Sequence, residues 1–334
     1  MASILMDDIR RGLVEKRSTV CDLCEAEEEA VDPTLEIEAH THLHVIDTSL
    51  QKLDEGILGV CTVCHGIVDE ALLQMDYTAS VCLDHFSTQE RRALESELEL
   101  SQIVQRAMLP QKIPNMDGFD IAGYNRPAQI IGGDYFDFLK FNDGAHGFVV
   151  ADVSGKGVSA GMLMTSLQTA FHTLVPETDS PIKVLEKINR LYIHNIKFTT
   201  FVTIFFARLD VNTCTLLYAN AGHNPAFLYR GAEKTRNWLE PTGAAIGLME
   251  EFNVGSENLQ LECGDTFVLY TDGITEAFNS KREQFGRERL ADVIEQNEAL
   301  SADALIQKIL QTLNDFTGGG QLVDDVTLVV YKVK

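Results

Sequence analysis

The sequence predicts an α+β fold in which antiparallel sheets are covered by helices. Two pairs of strands carry this prediction, because only a short turn joins the strands of each pair. The first pair is YFDFLKF and GFVVADV with NDGAH between them, and the second is TTFVTIFFARL and TLLYANAG with DVNTC between them. A doubly wound parallel sheet fits less well, since parallel strands need long crossover connections.

Residue type and hydrophobic period predict the other elements. β-Branched and aromatic residues mark strands in GDTFVLYTDG and DDVTLVVYKV. Helices are predicted in SAGMLMTSLQTAFHTL, SPIKVLEKINRLYIHN, RERLADVIEQN and SADALIQKILQTLNDF. These segments lie between the strand pairs, as expected if helices cover the sheets.

A connecting helix is predicted between residues 87 and 112. It begins at STQE, where Ser87 caps the helix and Glu90 completes a capping box. A broad apolar stripe follows, and Pro110 ends the run. The stripe either lies on the core of its own domain or pairs with a second copy in a homodimer, and we prefer the dimer.

Changes in composition divide the 334 residues into four segments. We predict an acidic helical segment with Cys and His residues at 1–57, a zinc finger at 58–86, the connector helix at 87–112 and one large domain at 113–334. This length suits one large core with an accessory module.

The composition also excludes several classes of protein. A net charge of −23 disfavours direct binding to nucleic acid, since phosphate contacts need Lys and Arg, but it is compatible with carboxylate clusters that bind hard cations. No apolar run is long enough to span a membrane, and the first 16 residues carry charges where a signal peptide needs an apolar core. We therefore expect a cytoplasmic protein without a membrane partner, whose seven cysteines are metal ligands or core thiols.

Four residues near the N-terminus have the spacing of a structural zinc site. Cys61 and Cys64 form one Cys-x2-Cys pair, and Cys82 and His85 follow after 17 residues as Cys-x2-His. Thiolates and imidazole are ligands that zinc favours, and four protein ligands leave no open position for catalysis. The metal would supply much of the folding energy of so small a module.

The segment LDEGILGVCTVCHGIVDEALLQMDYTASVCLDHF resembles the DksA/TraR-type zinc finger in its knuckle spacing, in the Gly before the first knuckle and in its aliphatic middle. The resemblance implies the zinc site, and we do not extend it to action on RNA polymerase. A second pair, Cys21 and Cys24, has no equally spaced partner. It either contributes to a second metal site or a redox pair, or has no fixed metal.

In the large domain, the stretch VVADVSGKGVSAG reads as a strand, a glycine-rich turn and a helix. Its glycines have the spacing of neither a Walker loop nor a dinucleotide-binding loop, which makes a phosphate-cradling loop a weak hypothesis. Its aspartate follows an apolar strand, and other aspartates also lie at predicted strand ends. Such carboxylates, gathered at one end of a sheet, would form a site for Mg²⁺ or Mn²⁺. The aspartates in question are Asp134, Asp137, Asp152, Asp272, Asp324 and Asp325.

The motifs IIGGDYFDF, VADVSGKGVSAGMLM, NAGHNPAFL, YTDGITEA and DDVTLVV, in this order, resemble those of the PPM metal-dependent serine/threonine phosphatases, and more narrowly the SpoIIE/RsbU-type branch. The resemblance covers residues 100–334. It implies a four-layer α-β-β-α sandwich, in which two antiparallel sheets are flanked by helices. It also implies dephosphorylation of phosphoserine or phosphothreonine, typically on an anti-sigma-factor antagonist of the STAS type in a partner-switching pathway.

The same resemblance implies roles for individual residues. Asp152 would bridge two Mn²⁺ or Mg²⁺ ions, and the Val153 carbonyl would ligate one of them. Asp272 and Asp324 would complete the shell of the other ion, with Asp325 able to exchange roles with Asp324. Asp134 would either ligate an ion directly or lie just outside its ligands, and it would orient the metal-bound water that attacks phosphorus.

Three positions leave alternatives open. Ser154 stands where eukaryotic members carry a His that is proposed to protonate the leaving group, so water or another residue must do so here. His223 is either that acid or a hydrogen-bonded structural histidine, and we favour the latter. Lys156 either steers phosphate or is simply solvated.

Three functions compete at this stage. The first is an active metal-dependent phosphoprotein phosphatase regulated by its N-terminal zinc module, and the complete carboxylate set favours it. The second is a catalytically silent partner-switching scaffold. The third is a zinc-finger transcription regulator that contacts RNA polymerase.

Overall fold

The computed structural model describes residues 33–68, 80–85, 87–195, 200–320 and 322–334, together with Met6, Ile9, Arg10, Leu13, Val14, Arg17 and Leu73. The described residues fall into two compact units, one up to residue 99 and one from residue 100 onward. In the described part of the chain, no helix is both long enough and apolar enough to cross a membrane.

The helices are α1 Pro33–Asp54, α2 Thr88–Met108, α3 Gly157–Leu174, α4 Pro181–Asn195, α5 Asp272–Thr275, α6 Gly286–Gln296 and α7 Ala302–Thr317, with 3-10 turns at Leu83–His85 and Val175–Glu177. The strands are β1 Phe119–Arg126, β2 Tyr135–Lys140, β3 His146–Val153, β4 Val202–Asp210, β5 Thr215–Ala221, β6 Ala226–Arg230, β7 Thr235–Leu239, β8 Glu257–Gln260, β9 Thr266–Tyr270 and β10 Val326–Val333.

The second unit contains two five-stranded antiparallel sheets. One has the order β1-β10-β9-β6-β7 and the other β2-β3-β4-β5-β8. The two predicted strand pairs are antiparallel neighbours, β2 with β3 and β4 with β5. The prediction of an α+β fold with antiparallel sheets and helices is therefore confirmed.

The two sheets share one hydrophobic core, because alternate residues of each strand face it. On β10, Val329 and Tyr331 belong to this core, whereas Leu328 and Val330 belong to a second core on the other face. The ring centroids of Phe148 on β3 and Tyr331 on β10 lie 4.5 Å apart, which fixes the two sheets face to face.

Helices pack against the faces of the sheets that point away from the shared core. Helices α6 and α7 contribute Leu290, Ile294 and Ile309 to the second core, against β9 and β10. On the other sheet, Phe171 of α3 makes an edge-to-face contact with Phe206 of β4, with centroids 4.9 Å apart. Tight packing of this kind holds the strand ends, and any residues on them, in fixed positions.

The predicted connector is a helix, and α2 occupies most of its range. It starts at Thr88, directly after Ser87, and ends two residues before Pro110. In the first unit, Leu13 and Ile46 form a small buried cluster, and Arg10 pairs with Asp54 at 2.6 Å. The four-segment division of the chain stays a prediction.

Candidate active site and cysteine cluster

Three aspartates from separate parts of the chain meet in one pocket of the second unit. Asp152 is the penultimate residue of β3, Asp272 begins helix α5 after β9, and Asp324 precedes β10. Since β9 and β10 run antiparallel, the end of one strand lies beside the start of the other. The pocket is lined by Asp152, Val153, Ser154, Gly155, Lys156, Phe201, Thr203, His223, Asn224, Asp272 and Asp324.

The carboxylates of this pocket repel one another. Burial, followed by the charges of Asp272 and Asp324, raises the pKa of Asp152 to about 8. Burial and the charge of Asp324 likewise raise the pKa of Asp272 to about 6. A bound divalent cation would remove this repulsion, and several oxygen donors around one cavity form the type of ligand set that Mg²⁺ and Mn²⁺ prefer.

The adjacent aspartates of the DDV motif have different partners. Asp324 faces the pocket, where its Oδ2 lies 2.9 Å from the Lys156 ammonium. The Asp325 carboxylate instead accepts hydrogen bonds from the backbone N–H groups of Ala128 and Gly133, both at 2.7 Å. Burial raises the pKa of Asp325, and these amide donors oppose the shift. Asp325 thus anchors the loop that leads into Asp134.

Asp134 is almost fully buried, with 3% of its surface exposed. Its Oδ2 accepts hydrogen bonds from the hydroxyls of Thr271 at 2.8 Å and Thr327 at 2.5 Å. Burial and then the charges of Asp152 and Asp325 raise its pKa well above the usual range. Asp134 therefore lies among the other carboxylates, with its position fixed by β9 and β10.

Glycine keeps space open beside the Val153 carbonyl. A Cβ atom on Gly133 would lie 2.8 Å from the Val153 oxygen, closer than real Cβ contacts allow. The turn that follows needs left-handed backbone at Gly155, with φ of 104°, and at Gly157, with φ of 72°. The predicted tight turn is confirmed.

Ser154 lines the pocket and is held by contacts with the backbone of Phe201. Its N–H donates to the Phe201 carbonyl at 2.9 Å, and its hydroxyl accepts from the Phe201 N–H at 2.8 Å. This reciprocal pair extends the β3–β4 ladder by one residue, which gives Ser154 a structural role in forming the turn.

His223 lines the pocket with 2% of its surface exposed. Its Nδ1 lies 2.8 Å from the Thr203 hydroxyl, and its backbone N–H donates to the Asn220 side chain at 2.8 Å. Burial lowers its pKa to about 4, and the Tyr270 carbonyl opposes this shift. A neutral imidazole is a poor acid, which favours the hydrogen-bonded structural histidine over a proton donor.

Gln105, a buried residue near the end of α2, was not predicted from the sequence as part of the site. Its Nε2 donates to the Gly132 carbonyl at 2.6 Å, and its Oε1 accepts from the Gly132 N–H at 3.1 Å. Gln102 makes a related contact, donating to the Ile130 carbonyl at 3.0 Å. The one available indication was that Gln105 lies seven residues after Leu98 and so shares the apolar face of the helix.

Asp137 has no part in this pocket, although it belongs to the same GGDYFD motif as Asp134. Its carboxylate accepts from the Tyr135 hydroxyl at 2.8 Å and lies 2.7 Å from His172 Nε2. Asp137 and Asp134 are three residues apart, so strand alternation sends their side chains to opposite faces.

In the first unit, the four residues with zinc-ligand spacing do come together. The ligand atoms of Cys61, Cys64, Cys82 and His85 all lie within 4.8 Å of one another. The sulfurs of Cys64 and Cys82 are 3.5 Å apart, close to the separation of about 3.8 Å expected for two thiolates on one tetrahedral zinc ion.

Backbone donors surround two of these sulfurs. The Cys61 sulfur accepts from the N–H groups of Val63 and Cys82, and the Cys64 sulfur from that of Gly66, all at 3.4 Å. For Cys61, hydrogen bonds from backbone N–H groups and from the Cys82 thiol outweigh burial and lower the thiol pKa to about 5, whereas the hydrogen bond with Cys61, followed by burial, raises the pKa of Cys82. The residue types and the close approach of the four ligand atoms fit zinc, which would bind the cysteines as thiolates. Cys21 and Cys24 lie outside the described residues.

Comparison with known proteins matches residues 142–334 to the family described as stage II sporulation protein E, SpoIIE. The chain is 33% identical to phosphoserine phosphatase RsbU of Bacillus subtilis over 248 residues, covering 73% of this chain and 72% of RsbU. The solved RsbU and RsbW domains of Rv1364c from Mycobacterium tuberculosis are 29% identical, with a TM-score of 0.57 over 68% of this chain and 63% of that one. The SiaA-PP2C domain of Pseudomonas aeruginosa shares the fold, with a TM-score of 0.65 and 20% identity over 73% of this chain and 98% of that one.

Proposed function

This chain belongs to the SpoIIE family and is a protein serine/threonine phosphatase, and from that premise we propose that it uses two Mn²⁺ or Mg²⁺ ions held by its aspartate pocket. The observation that carries the proposal is the convergence of Asp152, Asp272 and Asp324 from three chain segments. Burial, followed by mutual repulsion, raises the pKa values of two of them, and divalent cations would relieve the repulsion.

The proposed ligands are Asp152 as the bridge between the ions, the Val153 carbonyl, Asp272 and Asp324. Asp324 is preferred over Asp325 because the Asp325 carboxylate is engaged by backbone amides. Asp134 is assigned the orientation of the attacking water, from its buried position among the other carboxylates.

When bound, two such ions supply an acidified water and neutralise charge on the phosphoryl oxygens. The chain's own part is to hold its donors in place before substrate arrives. Asp325 and Gln105 fix the 127–133 loop, and the hydroxyls of Thr271 and Thr327 fix Asp134. Such prior positioning of charged groups is a large part of catalysis by electrostatic stabilisation.

The test is hydrolysis of p-nitrophenyl phosphate and of a phosphoserine STAS domain by the full chain with Mn²⁺. Wild type is expected to turn over both substrates, and Asp152→Asn to lose at least about 100-fold in rate. Asp303→Asn makes the same change on the exposed surface of α7 and should keep wild-type activity. An Asp152→Asn variant as active as wild type would refute the two-ion site.

We extend the proposal to the substrate, a phosphorylated STAS-type anti-sigma antagonist in a partner-switching pathway. It rests on the family membership and on the strongly acidic surface, which suits a protein partner better than nucleic acid. A cytoplasmic location, a homodimer through the connector and the four-layer α-β-β-α order are parts of the same proposal. The exposed Leu100, Ile103 and Val104 on α2 support the dimer.

Residues 58–86 of the first unit are proposed to form a DksA/TraR-like zinc finger that regulates the phosphatase. The close approach of the ligand atoms of Cys61, Cys64, Cys82 and His85 supports zinc binding. Because all four positions of a tetrahedral ion would be filled by protein, such a site would be structural rather than catalytic.

A further inference from the structure

Lys156 bridges two sides of the active-site pocket. It lies in the turn between β3 and α3, and its ammonium contacts the Asp324 carboxylate at 2.9 Å and the Val323 carbonyl at 2.7 Å. Among the described residues that line the pocket, it is the only one with a permanent positive charge. The sequence left open whether this side chain is merely solvated, and these contacts show that it is not.

From these contacts we infer that Lys156 binds the phosphoryl group of the substrate, and afterwards inorganic phosphate. This inference rests on the proposed function, since it assigns a residue to the same pocket. An ammonium has three N–H donors, and two of them are used by Asp324 and Val323. The side chain is 43% exposed, so a phosphate that enters the pocket can reach it.

The Asp324 contact gives Lys156 two alternative partners. The ammonium compensates the charge of the Asp324 carboxylate. A divalent cation held by Asp324 would compete for this carboxylate and would weaken the ion pair. Lys156 is then free to exchange the carboxylate for a phosphoryl oxygen, which carries more negative charge and accepts strong charge-assisted hydrogen bonds.

The position of Lys156 suits an anion for a second reason. It is the N-cap residue of α3, an 18-residue helix, and its side chain makes no capping hydrogen bond. The positive end of the helix dipole therefore lies at the backbone of Lys156, at the edge of the pocket. The helix end and the ammonium would both favour an anion in the pocket.

The experiment compares full-length wild type, Lys156→Met and Lys156→Arg in saturating Mg²⁺. Calorimetry measures the Kd of inorganic phosphate, and steady-state kinetics measure KM and kcat for p-nitrophenyl phosphate. Lys187→Met is the matched control, since Lys187 is also 43% exposed and ion-paired, with Glu177 on the surface. Calorimetric titration with Mg²⁺ alone measures metal affinity in each variant.

For Lys156→Met we expect the phosphate Kd and the KM to rise about tenfold, which corresponds to about 1.4 kcal/mol, with kcat nearly unchanged. Lys156→Arg keeps the charge and should lose less, and Lys187→Met should match wild type. An unchanged phosphate Kd in Lys156→Met overturns the inference. If the affinity for Mg²⁺ rises while the phosphate Kd stays the same, the inference is also overturned, because Lys156 is then only a counter-ion of Asp324.

The two readouts separate this inference from the proposed function. Phosphate binding needs no turnover, so Lys156-dependent binding in a wild type that cannot hydrolyse either substrate would support the inference and refute the enzyme mechanism. Normal turnover together with an unchanged phosphate Kd in Lys156→Met would support the enzyme mechanism and refute the inference.

Discussion

Replacement of Gln105 by leucine is expected to slow turnover, although Gln105 is not in the pocket. Its side-chain amide forms two reciprocal hydrogen bonds with the backbone of Gly132, and only 8% of the residue is exposed. Gly132 lies in the loop that runs directly into Asp134, and Asp325 holds the next residue of that loop. Leucine fills a similar volume but can make neither hydrogen bond.

The magnitude follows from the groups that lose their partners. The N–H and C=O of Gly132 would both be left unpaired in a buried position, at about 1–3 kcal/mol for each group. Partial entry of water reduces this sum, which leaves about 2–4 kcal/mol. A typical domain is stable by about 5–15 kcal/mol, so the fold survives while the loop loses its fixed position.

The assay is p-nitrophenyl phosphate turnover as a function of Mn²⁺ concentration, with urea unfolding on the same samples. Gln105→Leu should raise the Mn²⁺ concentration for half-activation or lower kcat, by about tenfold or more, while unfolding stays cooperative. Gln102→Leu removes a single, less buried hydrogen bond and should change activity by less than about threefold. Wild-type kinetics in Gln105→Leu would show that the hydrogen bonds between Gln105 and Gly132 are not needed to hold the loop in position for catalysis.

Two further predictions concern metals. Purified wild type should carry about one zinc ion per chain, and the Cys64→Ser variant should lose it. The Cys263→Ser variant changes an exposed thiol outside the cluster and should keep the zinc ion. An unchanged zinc content in Cys64→Ser would refute the site. When no divalent cation is bound, the pKa values of Asp152 and Asp272 are raised to about 8 and about 6. The native state then holds more protons than the unfolded chain between about pH 4 and pH 8. The free energy of unfolding should therefore fall as the pH rises through this range. In urea unfolding experiments, the free energy of unfolding should be lower at pH 8 than at pH 5 by more than about 1 kcal/mol. Mn²⁺ should abolish this difference, and Asp152→Asn should reduce it. A free energy of unfolding that does not change with pH would contradict the prediction.

The sequence predicted six of the ten described strands, including the edge strand β2, and missed β1, β6, β7 and β8, three of which lie at sheet edges. Strands β3, β4, β9 and β10 have neighbours on both sides and read as near-continuous apolar runs. Strands β7 and β8 are short, largely exposed edge strands, with sequences TRNWL and ENLQ. Polar residues protect such edges from further pairing, and the same residues hide the strands from a hydrophobic pattern.

The sequence was enough to predict that a set of carboxylates forms the site, but not how their side chains are arranged in space. Apolar strands that end in aspartate marked Asp152 and Asp272, whereas the choice between Asp324 and Asp325 depended on register. A shift of one residue turns a side chain to the other face of a strand, and only the pairing of β10 with its neighbours fixes that shift. Gln105 was missed because its partner is a backbone group 27 residues away.

The distribution of compensating groups explains which aspartates are available to metal. Asp134 is buried and Asp325 is partly buried, and each accepts hydrogen bonds from the protein itself, through two hydroxyls in one case and backbone amides in the other. These donors oppose the rise in pKa that burial causes in both groups, and they occupy carboxylate oxygens that could otherwise bind an ion. Asp152, Asp272 and Asp324 have the pocket in common and share Lys156, a single half-exposed cation, for their three negative charges. Carboxylates gathered at that density favour a bound cation, so the fold itself separates the aspartates that hold the loop from those that are left to hold metal.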